Sequence, residues 1–106
     1  MAKYLFRGHY VGKGIEGLLK EGGTARRDAA GKAMASVGGK LESMYYVFGE
    51  DDFVGICDVP DHASGVALSL MINASGTVVL HMTPLITVEE VDAASKKRPS
   101  YRPPGQ

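Results

Sequence analysis

Tryptophan is absent from this chain, cysteine occurs once, and long apolar runs are missing. Each absence excludes something. A lone Cys57 cannot close a disulfide within the chain, so a reducing compartment is expected. No stretch approaches the ~18 apolar residues of a membrane-spanning helix. The opening residues, Met1 to His9, lack the apolar run of a secretory leader. An excess of either charge is lacking too, because 12 basic and 12 acidic side chains cancel. No net field draws the chain to nucleic acid or to an anionic membrane surface. No repeat at a solenoid period is visible. The expectation is a soluble cytoplasmic protein with neither a nucleic-acid nor a membrane partner.

What is present points to one small α+β domain. The chain has 106 residues, 14 of them glycine. A single domain is expected over 1–98, followed by an extended tail at 99–106. Residues 3–11 alternate and are rich in aromatics, which predicts a strand. Tyr4, Phe6, Gly8 and Tyr10 then face the helices, and Leu5, Arg7 and His9 face the other way. An apolar stripe through Ile15, Leu18 and Leu19, then Ala25, Ala29, Ala33 and Val37, predicts helix over 12–37. Gly22-Gly23 interrupts it at a cost of about 2 kcal/mol, so two pieces are expected, 12–21 and 25–37. Thr24 is the expected N-cap of the second. Residues 40–48 and 53–59 read as a hairpin around an acidic turn, Glu50-Asp51-Asp52. Pro60-Asp61 caps a third helix on which Val66, Ala67, Leu70 and Met71 share a face. A fourth strand follows at 77–85. Thr87 to Glu90 is a capping box for a last helix, with Ile86 placed to staple onto Val91. Lys96, Lys97 and Arg98 are expected in its final turn, where cations suit the helix dipole.

The order βαββαβ predicts a ferredoxin-like fold: a four-stranded antiparallel sheet with helices on one face. The other face would carry Leu5, Tyr45 or Tyr46, and Val79. That is too much apolar surface to leave in water, so a homodimer or higher oligomer is expected, with two sheets closing a dimeric α+β barrel through a two-fold interface.

Several segments resemble the GYD-domain family of bacterial proteins. They are the opening Met1 to Gly8, the run Gly17 to Arg27, the turn Phe48 to Asp52, and the closing Tyr101 to Gly105. Within the turn, Asp51 stands where the family's Gly-x-Tyr-Asp pattern has Tyr. The resemblance implies a dimeric α+β barrel fold and a biochemical role that is not established. It also implies an ordered tail, with Tyr101 and Arg102 as docking candidates.

The candidate chemistry is modest. Arg7 and His9 share a strand face, and His81 on the fourth strand is expected beside them. With Tyr45 they could line a barrel and bind a small acidic or aromatic ligand. A neutral imidazole also suits proton transfer near neutral pH. The alternative function is therefore a cofactor-independent isomerase or monooxygenase acting on a small organic molecule. Thr24, Arg26 and Arg27 form an anion candidate near a helix start. His9 and His81 with Asp58 or a Glu would suit a transition ion, but their spacing matches no metal motif, so no metal is expected. No motif calls for a cofactor. Cys57 reads as a buried inert thiol, and His62 as a solvated surface residue.

Overall fold

Alternation in the first strand decides how the whole sheet faces. In the computed structural model, which describes all residues Met1–Gln106, strand β1 spans Ala2–Tyr10. Tyr4, Phe6 and Gly8 are buried, while Arg7 on the opposite face is exposed. Strands β2 (Lys40–Tyr46), β3 (Phe53–Val59) and β4 (Val78–Pro84) complete the sheet. The order is β2-β3-β1-β4, and every adjacent pair is antiparallel. This is the ferredoxin-like arrangement that a split βαβ order produces.

Helices cover one face only. Helix α1 spans Gly14–Glu21, α2 spans Gly23–Ala35, and α3 spans His62–Ala74. The core lies between the sheet and α2 and α3. It consists of Tyr4, Phe6, Met34, Phe53, Cys57, Val59, Leu68 and Leu80. The break between α1 and α2 falls at Gly22, whose φ of 87° favours glycine. Helix α2 starts earlier than the sequence suggests. Gly22 holds the N-cap position without a side-chain cap, and Thr24 lies inside the first turn. Glycine holds this position because a φ of 87° lies in the left-handed region that threonine rarely adopts. Gly38, with φ 82°, closes the end of α2, and the Gly39 N–H donates to the Met34 carbonyl at 2.8 Å.

Helix α3 turns a different face inward from the one its apolar residues suggest. Gly65 and Leu68 are buried and Ile72 packs against the core, whereas Val66, Leu70 and Met71 are exposed. The helix is apolar nearly all round, so spacing alone does not select the core side. Gly65 decides it: a Cβ there would lie 3.3 Å from the Tyr4 ring. Asp61 caps α3 as expected, accepting from the Ser64 N–H at 2.8 Å.

Helix α4 (Val88–Ser95) begins with a complete capping box between Thr87 and Glu90. It ends sooner than expected. Lys96 is its C-cap, and Lys97 and Arg98 lie beyond it. The Arg98 guanidinium instead donates to the Ser95 carbonyl at 2.6 Å. Every residue from 86 to 106 is exposed. Those residues form hydrogen bonds only among themselves. The segment therefore projects as an arm, and the molecule measures 56 × 32 × 23 Å.

Candidate functional site

Strand register assembles the candidate residues. On β1, Arg7 lies opposite Val54 of β3 on one side and His81 of β4 on the other. Val54 in turn lies opposite Tyr45 of β2. Directly opposed residues point to the same face of a sheet. Tyr45, Val54, Arg7 and His81 thus form one row across all four strands. Three strand spacings make that row about 14 Å long. It lies on the face that no helix covers.

Neighbouring rows extend the surface. His9 lies opposite Val79, which puts it diagonal to His81 at about 7–8 Å. On the other side, Leu5 lies opposite Ile56 and Thr83. Further along, the Lys3 ammonium donates to Glu42 at 2.8 Å and to Asp58 at 3.4 Å. The hydrogen bond to Glu42 raises the Lys3 pKa, and Asp58 adds to the effect. The open face is therefore charged at one end, apolar in the middle, and cationic and aromatic along the Arg7 row.

Two acidic residues in the β2–β3 turn contribute. The Arg7 guanidinium donates to both Asp51 carboxylate oxygens, at 3.2 and 3.3 Å. Asp52 works on the backbone: its carboxylate accepts from the Tyr10 N–H at 2.9 Å, and its own N–H donates to the Gly8 carbonyl at 2.8 Å. The turn is thus tied to β1 at three points. The sequence reads these acids as solvated because their partners lie more than 40 residues away. Only the β1–β3 register could have revealed them. Phe48 in the same turn has a φ of 45°, uncommon for a bulky side chain, and stacks on Tyr46 at 5.9 Å.

The remaining candidates are placed as follows. Tyr45 is 69% exposed on the open face. Tyr46 turns to the helix side, and its hydroxyl donates to the Gly23 carbonyl at 3.0 Å. Arg26 pairs with Glu21, and Arg27 with Asp28, both at 3.3 Å. Each arginine is thus engaged by its own carboxylate. Tyr101 and Arg102 are exposed on the arm. No group of three His, Cys, Asp or Glu side chains is placed to hold a metal ion. Asp58 lies four residues along β1 from the Arg7–His81 row, about 13 Å away. It cannot share a metal with His81.

His62 is not simply solvated. The hydroxyl of buried Tyr4 hydrogen-bonds its Nδ1, and the two rings meet edge to face. Cys57 is fully buried, and burial pushes its thiol up to about 11. A thiol in that setting is not a nucleophile at neutral pH.

The GYD-domain family model matches residues 4–94, and the chain belongs to that family. No curated protein and no solved structure shows significant similarity to it. No helix is long and apolar enough to cross a membrane.

Proposed function

We propose that the chain is a subunit of a homodimer whose two open sheet faces meet as a dimeric α+β barrel. The Tyr45–Arg7–His81 row then lines an enclosed site for a small acidic or aromatic molecule. The observation that supports this reading is the strand register, which brings three dispersed polar residues into one row on an uncovered face. A two-fold axis would set the same row from a second copy across from it. Leu5, Val54, Ile56 and Val79 on that face would leave water, at about 25 cal/mol per Å² of apolar area.

Each residue has a role in such a site. Arg7 meets a carboxylate or phenolate, and Tyr45 offers a ring face for stacking. His9 and His81 add hydrogen bonds whose sense changes near neutral pH. Asp51 already occupies the Arg7 guanidinium, so it tunes affinity by competing with the ligand. Binding takes precedence over a cofactor-independent isomerase or monooxygenase. An imidazole base needs a partner that orients it, and of the three histidines only His62 has its ring hydrogen-bonded. The lone buried Cys57 fits a cytoplasmic setting.

Thermal shift with small phenolates and aromatic acids tests this reading. Arg7→Met keeps bulk and removes charge, so the stabilising shift is lost while the dimer survives. Asp51→Asn frees the guanidinium and strengthens binding. A shift that persists in Arg7→Met would refute the role assigned to the row.

A further inference from the structure

The opposite side of the sheet, beneath the helices, carries an apolar pocket. A cavity of about 120 Å³, partly open to solvent, lies between the sheet, α2 and α3. Its cause is visible on α2, where Ala29, Ala30 and Ala33 line the cavity with single methyl groups. Phe6, Phe53 and Leu80 form part of the remaining wall.

The cavity has one charged residue in its lining, Arg26. A neighbouring cleft of about 180 Å³ shares Arg26, Tyr10 and Val78 with it. That cleft is polar, with Lys13, Glu21 and Thr77 in its wall. An apolar chamber therefore adjoins a polar vestibule, with a guanidinium at the junction. The Arg26–Glu21 pair is long, at 3.3 Å, and both side chains are substantially exposed. Such a pair is weak and readily exchanged. Tyr10 stands beside Arg26, and its burial, helped by the nearby Tyr46, pushes its hydroxyl up to about 12. It remains a proton donor at neutral pH.

We infer that this chamber binds a small monocarboxylate, with its apolar body between α2 and the sheet and its carboxylate on Arg26. The dimensions fit such a ligand. A dry protein cavity of roughly 150 Å³ accepts benzene. A chamber slightly smaller, opening onto a vestibule, suits a benzoate-sized or short-chain acid. The guanidinium supplies paired donors of the geometry a carboxylate prefers. This site is independent of Arg7, which lies across the sheet.

Methyl-detected NMR of the full chain, titrated with benzoate, toluene and acetate, tests the inference. Benzoate should shift the Ala33, Ile72 and Leu80 methyls saturably. Arg26→Gln should weaken benzoate by about tenfold, equivalent to 1.4 kcal/mol, and leave toluene nearly unchanged. Ala33→Leu should fill the chamber and abolish both. Should that variant misfold, Ala30→Val provides a smaller filling and should weaken both ligands. Acetate, without an apolar body, should not bind detectably. Three results would each overturn the inference: no saturable shift at those methyls, acetate binding as tightly as benzoate, or benzoate shifts confined to Leu5, Val54 and Ile56. The last would place the ligand on the Arg7 face. Because different arginines serve the two sites, failure of one reading leaves the other standing.

Discussion

Gly55 shows how closely single residues constrain this sheet. A Cβ there would lie 2.3 Å from the Phe6 ring and 2.4 Å from the Ser43 carbonyl. Neither can yield, since Phe6 is core and the carbonyl is backbone. Gly55→Ala should cost about 1–3 kcal/mol, read as a lower urea midpoint with unchanged m-value. Cys57, two residues on, makes a pH prediction. Burial pushes its folded pKa to about 11, above the ordinary thiol value of 9.0. The unfolded chain therefore loses this proton first as pH rises. Stability is undiminished below pH 9.0 and falls between there and about 11. Tyr10, raised from 10.0 to about 12, adds a similar loss at higher pH. Urea midpoints should hold from pH 8 to 9.0 and decline above it, and Cys57→Ala should remove the component that begins near pH 9.0. A flat profile would contradict the burial assigned to both groups. Asp51 and Asp52 illustrate what composition conceals at this scale. Three consecutive acids in a turn read as solvated, yet two of them grip β1.

Among the elements, the arm is the one that buries least. Helix α4 has eight residues and no buried side chain. Isolated helices shorter than ~12–15 residues are marginal in water. Its capping box therefore carries an unusual share of its stability. Thr87→Ala should remove about 0.5–2 kcal/mol from α4 alone. Hydrogen exchange should then accelerate in 88–95 while the sheet amides stay protected. Exchange that is unchanged in α4 would show the helix held by something other than its cap. The tail after α4 is expected to dock on a second copy, since it makes no hydrogen bond to the body of its own chain. Deleting 99–106 should lower the melting temperature of the assembly, and an unchanged melt would return the tail to solvent. Other elements were legible from sequence because their signals are local. Period-two alternation in β1, the Asp61 cap and the Thr87–Glu90 box each depend on residues a few positions apart. The inward face of α3 was not legible, because apolar residues surround that helix and the deciding contact is Gly65 on Tyr4. The chamber under α2 was hidden for a related reason: a stripe of alanines has the same spacing whether or not its neighbours close over it.

Taken whole, the molecule is more extended than a compact domain of its length. Its radius of gyration is 17.0 Å, against about 13 Å for a compact domain of this length. The projecting arm accounts for the excess. One sheet face is covered by helices, and the other leaves Leu5, Val54, Ile56 and Val79 only half-buried beside the Arg7 row. A stable interface on that face would bring the total buried area towards the 1,200–2,000 Å² typical of specific complexes, roughly half from each partner. The Arg7–His81 part of the row was foreseeable, because alternation fixes the face of Arg7 and the ferredoxin-like order sets β4 beside β1, whereas the choice of Tyr45 over Tyr46 was not, since the β2–β3 register is irregular. Sedimentation equilibrium at micromolar concentration, run on the wild type beside Ile56→Lys, tests the proposed dimer most directly. The wild type should give about twice the chain mass of 11.3 kDa. Ile56→Lys, which sets a charge in the middle of the open face, should return it to a single chain. A wild type that remains at 11.3 kDa, or a dimer that Ile56→Lys leaves intact, would contradict assembly through this face.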